Sequence, residues 1–150
     1  MLKPLLVLFL FGLAAPAQET QKTPPAPPSE TIPVEAAHQV NPVKPTAESI
    51  AAGKKWYGYD CAMCHGKDGD GKGDMAADMK VKLADFTDPA ALKDRTDGEI
   101  FYIIKNGKGQ MPAEGDRLKA NELWNLVNYV RSLAKKAPAE KAPAEDKTPQ

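Results

Sequence analysis

Apolar residues recur at helical intervals in three stretches of the chain. The clearest is the last: Leu123, Leu126, Val127, Val130, Leu133 and Ala134 are spaced by threes and fours, which predicts a helix from about Ala120 to Lys135. A second helix is signalled by "TDGEIFYIIKNG", with Ile100, Ile103 and Ile104 as its apolar stripe. Thr96 and Glu99 have the spacing of a capping box at its start, and Gly107 can end it as a C-cap. The first helix is expected through "AESIAAGKKWYGYDCAMC", capped by Thr46, with Ile50, Gly53 and Tyr57 on one face. A short turn of helix is expected in "DPAALKD", with Asp88 as its cap, and no alternating strand pattern stands out. Lys119 occupies the position where the last helix would ordinarily carry a Ser or Thr cap.

The pattern fades at both ends. Residues 1–17 read as an export signal: Lys3 gives a positive start, "LLVLFLFGLAA" an apolar run, and "APA" a small-x-small cleavage site. The run is short for a membrane span, which needs about 20 apolar residues. The mature protein is therefore expected outside the cytoplasmic membrane, in the periplasm; an uncleaved signal would hold it at the membrane instead. Residues 18–45 carry seven of the chain's 14 prolines and few large apolar side chains, and read as a disordered linker. Residues 137–150, with "APAE" twice, read as a disordered tail. One foldable domain remains, 46–136. The formal net charge is zero, so a nucleic-acid binder, which would show a basic excess, is not expected.

That domain is short of core. Three or four short helices bury little, and the stretch from Gly66 to Asp85 is a long connection with few apolar residues. Something apolar is missing from the sequence.

Both cysteines and one of the two histidines fall within Cys61 to His65. Cys-x-x-Cys-His is the spacing of covalent haem attachment. Residues three apart share a helix face, so Cys61 and Cys64 can reach two vinyl groups along one porphyrin edge, and His65 can reach the iron. A haem would also supply the missing apolar mass. Three other readings compete with it. A disulfide across a two-residue gap closes too small a loop to stabilise much. A redox-active dithiol belongs beside a βαβ pattern, which is absent here. Zinc needs four ligands, and the remaining histidine, His38, sits in the proline-rich stretch, where it reads as solvated. "DGDGKG" at 68–73 opens like a calcium loop but places Lys72 and Met79 where the pattern needs an oxygen ligand, and reads as a mobile glycine-rich turn.

With His65 on one side of the iron, the other side calls for a second ligand. Met63 lies inside the motif and faces the wrong way. Met75 and Met79 lie in the polar loop with nothing local to hold them. Met111, in "NGKGQMPAEGD" between two helices and stiffened by Pro112, is the best placed.

Taken together, these stretches resemble a class I cytochrome c, the small monohaem electron carrier, over about Thr46 to Leu133. Gly53, Tyr57 and Cys61 repeat the family's Gly-x-x-x-aromatic-x-x-x-Cys spacing, "NLVNYVRSL" resembles its C-terminal helix, and "IIKNGKGQMP" resembles the segment that ends in its axial methionine. The resemblance implies an all-α cytochrome c fold, with short helices wrapped around one haem c held through two thioethers. It implies iron ligated by His65 and Met111, and single electrons shuttled between respiratory partners such as a membrane quinol-oxidising complex or a terminal oxidase or reductase. The chain lacks a counterpart of the proline whose carbonyl holds the histidine Nδ1–H in many members; a backbone carbonyl near Lys82 to Ala84 is expected to serve instead. A gas sensor or peroxide-reactive enzyme with a labile sixth ligand is the alternative function.

Overall fold

The structure, a computed structural model, describes residues 31–134. The expected signal, residues 18–30 of the proline-rich stretch and the expected tail lie outside the described residues. The described chain is helix and loop, with one isolated bridge between Lys108 and Met111. None of its helices is long and apolar enough to cross a membrane.

Three helical stretches obey the sequence pattern. Thr46 accepts a hydrogen bond from the Ser49 amide and opens α2 (Ala47–Trp56). The helix then widens into a π-turn over Tyr57–Cys61 and tightens again as α3 (Ala62–His65). A π-turn inserts one residue into the ladder and so re-aims the side chains beyond it, here those of Cys64 and His65. The capping box of Thr96 and Glu99 forms in full at the start of α5 (Asp97–Asn106), and Gly107 ends it with φ 75°. The last helix, α6 (Ala120–Leu133), starts without a hydroxyl cap: Glu122 reaches back to accept from the Lys119 amide at 2.8 Å.

Two short helices depart from the sequence expectation. One, α4 (Asp74–Asp78), lies inside the long loop. The other, α1 (Val34–Ala37), lies in the stretch read as linker and corrects that reading for residues 33–45. Ala36 is buried, and its carbonyl oxygen sits where a Cβ on Gly98 would be, so the strap packs directly on the backbone of α5. The Asn41 amide donates to Asn128 Oδ1 (2.8 Å), and Asn128 donates back to the Val43 carbonyl (3.0 Å) and to Ser49 Oγ (2.8 Å). Asn128 is 4% exposed, so these bonds satisfy an amide that burial would otherwise penalise. The expected helix at "DPAALKD" is instead a run of turns, in which Asp88 accepts from the Ala90 amide.

The core forms where α2 crosses α6. Gly53 lies against the backbone of Asn125, and Tyr57 packs edge-on against Tyr129 at 5.0 Å between ring centroids. Phe101 stacks on Trp124 at 4.1 Å and joins α5 to the same core. Arg131 ties α6 to the turn before α5, donating to Asp97 and to the carbonyls of Leu92 and Arg95. Between residues 58 and 95, by contrast, Ala76 is the one buried hydrophobic residue. The cysteine-bearing third of the domain has almost no core of its own.

Candidate functional site

A cavity of about 330 Å³ opens in that region. Cys61, Cys64, His65 and Met111 all line it, which brings together the four residues singled out in the sequence. Val81, Leu83 and Pro112 add apolar wall. His38 is exposed and does not take part. Met63, expected to face elsewhere, also lines the cavity, as do Met75 and Met79; these three are 53%, 42% and 41% exposed and form its outer rim.

Tyr57 and two loops shape this site. The Tyr57 hydroxyl, deep in the core, donates to the carbonyl of Gly66 at 2.9 Å and anchors the end of the Cys-x-x-Cys-His segment. The glycine-rich loop then folds back on that segment. The Gly71 amide donates to the His65 carbonyl (2.9 Å), the Gly73 amide to the Cys64 carbonyl (3.1 Å), and the Phe86 amide to the Gly69 carbonyl (2.7 Å). Gly66, Gly69 and Gly71 hold φ of 80°, 82° and 75°, a region costly for other residues. The turn read as mobile is therefore pinned at several points. Opposite, Met111 sits on a tight turn closed by its pairing with Lys108. The loop after it is tied to the end of α5 by the Glu114 amide on the Ile104 carbonyl (3.0 Å) and the Gly115 amide on the Lys105 carbonyl (2.9 Å).

The protonation states narrow the chemistry. Both cysteines are free and half-buried. Burial, and then the neighbouring carboxylates of Glu114 and Asp60, pushes the Cys61 thiol up to about 12. A redox-active dithiol needs the opposite, a depressed thiolate pKa, so that reading does not fit. Among the described residues no cluster of three or more His, Cys, Asp or Glu could hold a metal ion, which also removes the zinc reading. Burial lowers the pKa of His65 and keeps its imidazole neutral, the state in which a ring nitrogen has a lone pair to give a metal. Its ring stacks on Phe86 at 4.9 Å, and its Nδ1 is buried without a hydrogen-bond partner. No carbonyl at Lys82 to Ala84 reaches that atom: the carbonyls of Leu83 and Ala84 lie against Gly71, close to where its Cβ would be.

An orphaned imidazole, two free thiols, a thioether and apolar walls make a donor set that fits a covalently attached haem. Thiols add to vinyl groups, and a neutral imidazole and a thioether are iron ligands. Sequence reasoning missed three charged neighbours. Arg117 Nη2 donates to Asp60 Oδ1 at 2.7 Å, and Nη1 lies 3.3 Å from Glu114 Oε2; both carboxylates line the cavity. The one local signal was Asp60 standing beside Cys61.

Comparison with known proteins agrees with this chemistry. Residues 48–130 match the family described as cytochrome c oxidase, cbb3-type, subunit III. The chain is 37% identical over 88 residues to cytochrome c6 of Cladophora glomerata, covering 59% of this chain and 92% of that one. It is 33% identical over 90 residues to the chloroplastic cytochrome c6 of Chlamydomonas reinhardtii, where it spans 55% of the relative's length. It is 36% identical over 84 residues to the cbb3-type cytochrome c oxidase subunit FixP of Rhizobium etli, covering 55% of this chain and 27% of that one. Among solved structures, a chain of the reducing HAO-like protein complex of Kuenenia stuttgartiensis superposes with a TM-score of 0.55 at 31% identity, over 61% of this chain and 46% of that chain.

Proposed function

The chain belongs to this family of small c-type cytochromes, and from that membership we propose which of its residues serve electron carriage and where it works. The fold is the all-α cytochrome c fold. The cofactor is one covalently bound haem c, which supplies a one-electron ferrous–ferric couple when bound.

In our reading Cys61 and Cys64 hold that group at two points through thioethers. His65, with its neutral imidazole, and Met111, with its sulfur, would be the residues that hold the iron. The soft thioether favours the ferrous state and raises the potential. Val81, Leu83 and Pro112 act in the same direction by excluding water, since a dry site disfavours the extra positive charge of the ferric state. The exposed rim of Met63, Met75 and Met79 gives a partner an apolar face at the mouth of the cavity. Lys67, Lys72 and Lys105 are exposed but do not line the cavity, and acidic residues interleave with them, so docking rests on the apolar rim rather than on a basic patch.

The observation that carries this reading is the convergence of the Cys61, Cys64 and His65 segment with Met111, distant from it in sequence, on one apolar cavity. The export signal read in residues 1–17 supports a periplasmic carrier. The similarity to an oxidase subunit supports a terminal oxidase as one partner.

The test is the visible spectrum of the exported protein, oxidised and reduced, with carbon monoxide added to the reduced form. A low-spin c-type spectrum that carbon monoxide leaves unchanged, with the weak far-red band of a methionine-ligated ferric haem, is expected. Loss of that band in Met111→Ala assigns the sixth ligand. A wild-type spectrum that shifts readily with carbon monoxide would refute the carrier reading in favour of a sensor or enzyme.

A further inference from the structure

The two walls of the cavity come from separate parts of the chain. The wall of Cys61 to His65 is built on the helix that starts at Ala47, and the wall of Met111 to Glu114 on the loop after α5. Every backbone–backbone hydrogen bond of residues 107–118 stays within the loop or returns to α5. Among the described residues, the bond from Arg117 to Asp60 is the one hydrogen bond that crosses from the loop to residues 57–66.

The crossing is built from unequal partners. The Arg117 side chain is 58% exposed, whereas those of Asp60 and Glu114 are 13% and 6% exposed. Asp60 Oδ2 and Glu114 Oε2 are buried with no hydrogen bond of their own. One guanidinium thus neutralises two carboxylates that burial has stripped of water. An exposed ion pair contributes little to stability, but removing the partner of a buried charge is costly because the charge stays behind. Here two would stay behind. They would repel each other across the gap between the cysteine-bearing segment and the loop.

We infer that Arg117 is a positioning residue: through Asp60 and Glu114 it clips the Met111 loop against the segment that begins at Cys61 and sets how firmly Met111 is held at the site. The inference rests on the reading of Met111 as the sixth ligand. Asp60 stands one residue before Cys61 and Glu114 three after Met111, so each carboxylate reports directly on one wall. The short turns around Met111 fix its local backbone, but none of them fixes its distance from the opposite wall.

The test uses the haem-loaded protein and two readouts, the far-red ferric band and the rate at which the reduced form takes up carbon monoxide. Arg117→Ala is expected to weaken the band and speed uptake by about tenfold, the equivalent of ~1.4 kcal/mol of lost closure. Arg117→Lys, which keeps one charge but loses the fork, is expected to fall between it and wild type. Adding Glu114→Gln to Arg117→Ala removes the repulsion and is expected to slow uptake again, a non-additivity that a merely destabilised fold would not show. Uptake within twofold of wild type and an intact band in Arg117→Ala would overturn the clip. If that variant fails to load haem, Asp60→Asn weakens the same contact from the other side, and wild-type behaviour there overturns it equally. Met111→Ala separates the two claims: if its band and its carbon monoxide response match wild type, the ligand assignment has failed, whatever Arg117 does.

Discussion

Gly53→Ala adds one methyl group at the crossing of α2 and α6, and the structure allows its effect to be sized. The new Cβ would lie 2.0 Å from the Asn125 carbonyl oxygen, 2.6 Å from its carbon and 2.8 Å from Tyr129 Cβ. Ordinary contact begins at 3.4 Å, so the helices must part by about 1.4 Å, and the obstacle is backbone, which cannot rotate away. Parting strains the bonds from Ser49 Oγ to Asn125 Oδ1 (2.7 Å) and from Asn128 Nδ2 to Ser49 Oγ (2.8 Å). Losing both costs about 2 kcal/mol. Overpacking beside Tyr57 and Val127, which are 2% and 0% exposed, adds roughly 2 kcal/mol. The better helix propensity of alanine offsets about 1 kcal/mol. The net is a loss of about 3 kcal/mol, or roughly 15 °C in midpoint for a domain of this size. Urea unfolding monitored by circular dichroism measures it, with Gly58→Ala as the control. Gly58 lies in the same helical run with nothing within 4 Å of its Cβ position, and alanine there is expected to be neutral or to stabilise by up to about 1 kcal/mol. If the two variants unfold within about 0.5 kcal/mol of each other, the steric argument for the crossing is wrong.

Cys61→Ala and Cys64→Ala are each expected to lower the fraction of haem that survives acid extraction, and His65→Ala to abolish the low-spin spectrum; an unchanged spectrum in the last would remove His65 from the site. Thr96→Ala is expected to cost about 1 kcal/mol through loss of the cap on α5, measured by urea unfolding. The Thr96 backbone amide holds the Glu99 carboxyl below its ordinary range, with Arg95 contributing less. Stability from that bond is therefore complete above the ordinary glutamate pKa and lost as pH falls through the lowered value, so the gap between wild type and Glu99→Gln should shrink on acidification. Asn128→Ala is expected to cost about 2 kcal/mol by unpairing Asn41 and Ser49, and removal of residues 1–45 roughly half as much; equal stability of the shortened and full chains would refute a structural role for the strap.

The three main helices were legible because their signals are local. Thr96 and Glu99 stand three residues apart and cap one another, Gly107 comes just after the apolar stripe it terminates, and α6 keeps its period throughout. The strap was illegible for the same reason. Its prolines and small residues carry no period, and its anchors are distant: the open backbone at Gly98 and the amide of Asn128, whose partner Asn41 lies 87 residues away. The π-turn at Tyr57–Cys61 was hidden because a single extra residue in the ladder leaves the apolar spacing of α2 intact up to Tyr57. The turns at Asp88 show the converse, a capping residue that closes a local Asx turn rather than starting a helix.

The candidate site was legible partly as an absence. The cysteine-bearing segment and the loop after it are rich in glycine and charge, and a chain that must fold with so few apolar side chains there needs mass from elsewhere. The structure places that deficit in one region: Ala76 is the one buried hydrophobic between residues 58 and 95, and the same stretch lines the cavity, with His65 Nδ1 orphaned and Val81 and Leu83 left half-covered. Cys61, Cys64 and His65 could be read from five consecutive positions, and Met111 from its place between two helices. Arg117 could not be read in this way, because its meaning depends on Asp60, 57 residues earlier, and a guanidinium next to an apolar residue reads as ordinary surface. The sequence therefore withholds the set of charges that relate one wall of the site to the other. In the clip reading, those charges set how firmly the loop that carries Met111 is held against the wall of Cys61 to His65.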